Sequence, residues 1–238
     1  MVARIKVSQI GLPLSFDRQF SYDNYITSSA DLTVGLLRAM IRDGGETMVG
    51  LWGGQGSGKT HLLNASVSYA RRQSLDFRFY DGGLLCGCNP GELDDFDQGD
   101  MLVVDNLDAL CGNRPWEEKF YLIINRVRER GGRFLYSLSR RPQDLVCELA
   151  DFQSRLGWGL LLELPVHGDD EVRDIVRARA KLLGMDLSDE VLFFLLSRFS
   201  RKLEDQISIL RTLDRATLSR QKKVTIPLIK QVLMEEKP

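Results

Sequence analysis

Apolar positions along the chain recur with two different periods. Short continuous apolar runs at 48–52, 77–80, 101–104, 134–138 and 160–164 predict buried strands. Between them, residues 31–42, 59–72 and 116–130 carry apolar side chains at helical spacing. Gly44-Gly45 follows the first of these helices, and Gly131-Gly132 stops the last, which puts Phe120, Ile123, Ile124 and Val127 on one face. Strands alternating with helices predict a mostly parallel sheet of five strands covered on both sides. After Pro165 only helical periods remain, at about 169–183, 188–199, 201–220 and 226–236. Asp169 or Asp170 and Ser188 are candidate caps, and Pro227, just after Thr225, suits a first helical turn. Residues 1–20 show neither period and contain Gly11 and Pro13, so they read as an extended arm. Residues 82–99 hold five glycines and a proline among acidic residues and read as a loop. The expected organisation is an arm at 1–20, an α/β base at 21–165 and an all-helical domain at 166–238, with no internal repeat.

Composition narrows the class. The chain has 238 residues, 43% hydrophobic and 27% charged, as in a soluble globular protein. Lys and Arg total 32 against 33 for Asp and Glu, a net charge of −1. That balance argues against an extended electrostatic grip on DNA, although a local basic patch remains compatible with it. The four cysteines (Cys86, Cys88, Cys111 and Cys147) form no C-x-x-C pair, and His61 and His167 are isolated. Reduced thiols in a cytosolic protein fit better than a zinc site. The N-terminus lacks a signal-type apolar core and no apolar run reaches about 18 residues, so a cytoplasmic location with no membrane insertion is expected.

The most specific chemistry lies at Gly53-Gly54-Gln55-Gly56-Ser57-Gly58-Lys59-Thr60, which matches G-x-x-x-x-G-K-[ST] between a strand and a helix. Glycines let backbone N–H groups converge on phosphate oxygens, and the following helix turns its positive end toward the same anion. Lys59 is placed to reach the β- and γ-phosphates, and Thr60 to offer a hydroxyl to Mg²⁺. About 45 residues on, the run 101–104 ends in Asp105, the expected second Mg²⁺-side group of a Walker-B strand. The next residue is Asn106, where many hydrolysing relatives of such loops carry a second acid. An amide orients water but does not take its proton at neutral pH. Asp108 is nearby but out of phase. Slow intrinsic hydrolysis is the expectation.

Several stretches together resemble the AAA+ proteins related to the replication initiator DnaA. They are Phe20-Ser21-Tyr22-Asp23-Asn24-Tyr25, Leu51-Trp52-Gly53 with Lys59-Thr60-His61-Leu62-Leu63, Val104-Asp105-Asn106-Leu107, Ser139-Arg140-Arg141-Pro142 and Ser154-Arg155-Leu156-Gly157-Trp158-Gly159. The resemblance spans nearly the whole chain and implies a P-loop AAA+ module followed by a helical lid. It implies ADP or ATP with Mg²⁺ as cofactors, and it adds His61, Tyr22, Tyr25 and Ile26 to the nucleotide site. Tyr22 and Tyr25 could equally be core aromatics. It also implies Arg155 as an arginine finger offered to a neighbouring subunit and Arg201 as the lid's sensor-2 arginine, with Lys202 as its nearest rival. Ser139 falls in the sensor-1 region, where related proteins often carry Asp.

The hexamer Gln9-Ile10-Gly11-Leu12-Pro13-Leu14 resembles the peptide by which bacterial proteins dock on the β sliding clamp of DNA polymerase III. Leu12 and Leu14 would fill an apolar pocket, Pro13 would stiffen the strand, and Gln9 would bond at the rim. The resemblance therefore implies a regulator that meets DNA only through the clamp and stimulates hydrolysis of ATP bound to initiator DnaA. The chain ends at Pro238 directly after the lid, which favours such a regulator over the initiator. A homo-oligomer through the Arg155 face is compatible with it, and no membrane partner is expected. The rivals are an active ATPase of helicase-loader or clamp-loader type, a P-loop kinase and a scaffold that binds nucleotide only for stability. Trp52, Trp116 and Trp158 read as packing residues, and Arg71-Arg72 and Arg140-Arg141 as solvated surface, with Arg140 a candidate exception because it sits beside the sensor-1 region.

Overall fold

The computed structural model describes residues 20–27, 30–42, 44–92, 99–200, 202–220 and 223–234. The hexamer 9–14 and Arg201 lie outside the described residues. The chain divides into two compact units, 1–166 and 167–238.

In the first unit, helix α1 (Ala30–Ile41) leads to strand β1 (Met48–Trp52), then α2 (Lys59–Arg72), β2 (Phe77–Asp81), a single turn α3 (Gly82–Leu85), β3 (Met101–Asp105), α4 (Arg114–Glu129), β4 (Arg133–Leu138), α5 (Ala150–Leu156) and β5 (Leu160–Glu163). The five strands are all parallel, in the order β2-β3-β4-β1-β5. All five predicted strands are present. Strand side chains alternate faces, and the core divides accordingly. Met101 and Val103 join Val49, Leu51 and Leu135 beneath α1 and α2, with Leu37, Leu62 and Leu63 fully buried there. Leu102 and Val104 join Phe134, Tyr136 and Leu138 on the other face, against Trp116, Phe120, Ile123 and Ile124 of α4 and Phe152 and Leu156 of α5. Each such side chain contributes about 1.5–3 kcal/mol on full burial.

Helix α4 starts where Asn113 caps it, the side chain accepting from Trp116 N, with proline in the first turn, and Gly131 at φ +67 follows its end. Two parts of the base depart from the sequence reading. Gly82–Leu85 is one helical turn instead of loop, because Asp81 accepts from Leu84 N at 3.1 Å and caps it. The short helix α5 was not visible in the periodicity at all.

The second unit has four helices, α6 (Asp169–Leu182), α7 (Asp189–Arg198), α8 (Leu203–Arg220) and α9 (Ile226–Met234). Val176, Ala180, Leu195, Leu210, Leu213 and Ile229 are fully buried at its centre. Ser188 caps α7 as expected, accepting from Val191 N at 3.3 Å. Helix α6 is capped differently: Gly168 is the N-cap and its N–H donates to Glu171 Oε2 at 3.3 Å, so Asp169 is already inside the helix. The third lid helix begins at Leu203, two residues later than predicted. Among the described residues, no helix is long and apolar enough to cross a membrane.

Candidate nucleotide-binding site

The site lies at the carboxyl ends of the strands. Strand β1 sits between β4 and β5, and the glycine-rich loop leaves its end. A Cβ at Gly53 would stand 2.3 Å from the Leu164 carbonyl oxygen, so only glycine fits where the chain leaves β1 against the residue that follows β5. Gly58 has φ +90, and a Cβ there would stand 2.8 Å from the Tyr25 ring. Helix α2 starts at the next residue, so its free N–H groups open toward the loop. Lys59 Nζ donates to the carbonyls of Gly53 at 2.7 Å and Gly54 at 2.8 Å, which holds the ammonium on the loop. Ser57 Oγ is buried and has no hydrogen-bond partner among the described residues. An orphaned hydroxyl beside a glycine cradle and a helix start fits a phosphate ligand.

The cation side is equally well formed. Thr60 Oγ1 donates to Asp105 Oδ2 at 2.6 Å, which brings together the two oxygens a hard divalent cation would take. Asp105 is buried, and its other oxygen accepts from Ser137 Oγ and from the Asn106 N–H at 3.1 Å. Ser137 in turn accepts from the Asn106 N–H at 2.8 Å. Ser137, on β4, was missed from the sequence; its signal was a polar residue inside a fully buried strand.

Asn106 is held from two directions. Its backbone is left-handed at φ 52, a region that Asn tolerates better than most residues. Its Nδ2 donates to Asp81 Oδ2 at 3.0 Å. A Cβ on Gly82 would come 2.2 Å from the Asn106 carbonyl oxygen, so the chain after β2 closes against it. The side chain is therefore committed to Asp81. Asp108, read as out of phase, reaches the end of β4 because residues Leu107–Leu110 form a 3-10 turn. It accepts from the Ser139 hydroxyl and from the Ser139 N–H at 3.2 Å. Ser139, expected in the sensor-1 region, is thus paired with the Asp108 carboxylate.

The residues proposed to flank the base are tied mainly to α2. Tyr22 and Tyr25 are buried in the core on the α1–α2 face. Tyr22 Oη donates to Ser66 Oγ at 2.8 Å, and burial pushes its hydroxyl pKa up. His61 Nε2 lies 2.9 Å from the Ser21 carbonyl, and its ring meets Phe20 and Tyr25. Tyr25 is the one that also touches the loop, at Gly58. Ile26 is half-buried beside it, and Gln55 is exposed on the loop tip.

Arg155 is not a solvated arginine. Its guanidinium lies 3.8 Å from the Trp158 ring centroid and 5.0 Å from that of Tyr121. Nε donates to Asn125 Oδ1 at 3.0 Å and Nη2 contacts Tyr121 Oη at 3.5 Å. Nη1 has no hydrogen-bond partner among the described residues. Arg128 also lies over Trp158, at 4.4 Å. Arg141 is exposed as expected, and on that surface it stacks on Trp52 at 4.8 Å and pairs with Glu163 at 3.9 Å.

Residues 169–233 match the family model described as the lid domain of Hda. Among solved structures, the chain resembles domain III of the replication initiation protein DnaA from Thermotoga maritima, with a TM-score of 0.76 and 20% identity over 92% of this chain and 97% of that one. AMPPCP-bound DnaA from Aquifex aeolicus gives 0.67 and 20% over 86% and 69%. The RuvB Holliday junction branch migration motor of Thermotoga maritima gives 0.67 and 21% over 92% and 73%. At this identity the structural likenesses establish the AAA+ fold, and the lid match narrows the kinship. Residues 169–233 are thus similar to the lid domain of Hda, and the chain has the fold of domain III of DnaA.

Proposed function

We propose that this protein binds ADP or ATP with Mg²⁺ and uses the nucleotide as a conformational ligand, while promoting ATP hydrolysis in a bound DnaA-type initiator. The carrying observation is the match of residues 169–233 to the Hda lid domain on a base of AAA+ fold. The geometry supports the division of labour. The loop from Gly53 to Thr60 and the Thr60–Asp105 pair are suited to hold phosphate and cation. Asn106, locked onto Asp81, offers no base for the attacking water. Arg155 stands half-buried with one guanidinium nitrogen unengaged by the chain's described residues, suited to stabilise charge on a γ-phosphoryl group in a neighbour's site.

The segment 9–14 tethers the protein to the β sliding clamp, which raises its concentration near DNA-bound initiator. Arg201 is proposed as the sensor-2 arginine, the role that the resemblance implies for it. The deciding experiment mixes the full chain with β clamp on DNA and ATP-loaded initiator and follows conversion of the initiator's ATP to ADP. Arg155→Ala should lower that rate by about a hundredfold or more while leaving nucleotide and clamp binding unchanged. Removing residues 9–14 should abolish the dependence on clamp. Hydrolysis that ignores both changes sinks the proposal, and rapid turnover by the isolated chain would favour an active ATPase.

A further inference from the structure

Cys111 and Cys147 stand 36 positions apart in sequence, yet their Sγ atoms are 3.1 Å apart. Cys111 follows the 3-10 turn that leaves β3, and Cys147 lies in the segment that enters α5. One buried carboxylate pins both segments. Glu117, in the first turn of α4, accepts from Gly112 N at 2.7 Å, Glu148 N at 3.1 Å and Leu149 N at 2.6 Å. The backbone beside each cysteine is therefore fixed to a common anchor, and the two sulfurs are held facing each other. Both are half-buried, so a small reagent can reach them.

A metal is the other chemistry such a cluster suggests, since the ligand atoms of Cys111, Glu117 and Cys147 lie within 4.8 Å of one another. The third ligand, however, is already committed, with both oxygens of Glu117 engaged by backbone N–H groups. Two thiolates alone do not complete a zinc tetrahedron. A disulfide needs only the two sulfurs, at about 2.05 Å, so the pair must close by about 1 Å.

We propose that Cys111 and Cys147 form a reversible disulfide that locks the segment leaving β3 to the segment carrying α5 and Arg155. The oxidant is a low-molecular-weight disulfide, R–S–S–R. One cysteine gives up its proton and attacks a sulfur of R–S–S–R, forming a mixed disulfide and releasing R–S⁻, which takes up a proton as R–SH. The second cysteine, deprotonated in turn, displaces the second R–SH. The two cysteines are oxidised, the reagent is reduced to two thiols, and a dithiol reverses the exchange. Burial pushes the Cys111 thiol up, helped by Cys147 and by the Glu117 charge, and burial also raises Cys147. Thiolate is therefore scarce at neutral pH, which makes this a slow switch that records sustained oxidation.

The test incubates the full chain with glutathione disulfide, alkylates it under denaturing conditions and digests it without reductant. The expected product links residues 111 and 147, leaves Cys86 and Cys88 as the alkylated pair of the four cysteines, and reverts with dithiothreitol. Closing that loop should raise the melting midpoint of the base by several degrees. Cys111→Ser and Cys147→Ser should each abolish the link. If either fails to fold, the Cys86→Ser/Cys88→Ser double variant must still form it. Persistent glutathione adducts at 111 or 147, a link through Cys86 or Cys88 instead, or one equivalent of zinc held by the reduced chain that blocks the link would each overturn the proposal.

Discussion

Replacing Glu117 with Ala should be among the most destabilising single changes in the base. The carboxylate is fully buried and accepts three backbone N–H groups, from Gly112, Glu148 and Leu149. An orphaned buried donor costs about 1–3 kcal/mol. Glu148 is exposed and Leu149 half-buried, so water can reach part of that site and the lower end applies to those two. The sum comes to about 3–5 kcal/mol, a large fraction of the stability of a typical domain. Glu117→Gln should cost less, about 2–3 kcal/mol, because the amide oxygen still accepts while the NH₂ confronts a backbone donor. All three tryptophans, Trp52, Trp116 and Trp158, lie in the 1–166 unit, so tryptophan emission follows the base alone. With a urea m-value of about 2 kcal/mol per molar, the Ala variant should shift the midpoint down by about 1.5–2.5 M. A shift below about 0.5 M would refute the claim that Glu117 holds the two segments, since the loss would then be near that of an ordinary surface change.

Three further outcomes follow from the site. Gly58→Ala places a left-handed residue against the Tyr25 ring and should weaken nucleotide binding about 5- to 30-fold in a labelled-nucleotide titration, whereas affinity within twofold of the parent would count against the cradle. Asn106→Glu should leave intrinsic ATP hydrolysis within about threefold of the parent, because the position is left-handed and aimed at the Asp81 carboxylate; a tenfold gain in phosphate release would show the acid reaching the water after all. Tyr22→Phe removes the bond to Ser66 while Ser66 keeps its bond to the Leu62 carbonyl, so the base should lose about 1 kcal/mol in denaturant unfolding, and a loss above about 3 kcal/mol would mean that the hydroxyl does more.

Contiguous signals were readable in advance. Each strand is a short apolar run, and the loop Gly53–Thr60 and the strand ending at Asp105 carry their chemistry in adjacent residues. What escaped depends on neighbours far along the chain. Helix α3 begins with two glycines, which propensity disfavours, and exists because Asp81 caps it and Asn106 packs on it. Helix α5 spans seven residues, too few for a helical period to stand out. Ser137, Asp81 and Asn125 acquire roles through partners 25 to 32 positions away, pairings that only the parallel sheet and α4 create. Arg140 and Arg141 look alike in sequence, but only Arg141 meets an indole. Cys111 and Cys147 form no C-x-x-C pair, and their approach, 36 positions apart, is invisible to local spacing for the same reason.

The bracket around Arg155 bears on how readily a partner can use it. A free arginine on a surface samples many rotamers, and confining them on binding costs about 0.5–1.5 kcal/mol. Asn125, Tyr121 and Trp158 have already confined this one within its own subunit. On the proposed function, an incoming phosphate would meet a guanidinium whose disorder was surrendered during folding, a gain of about 2- to 13-fold in the association constant. The same bracket limits reach, because a site that lies farther than the bracketed side chain extends can be met only by moving α5 as a whole.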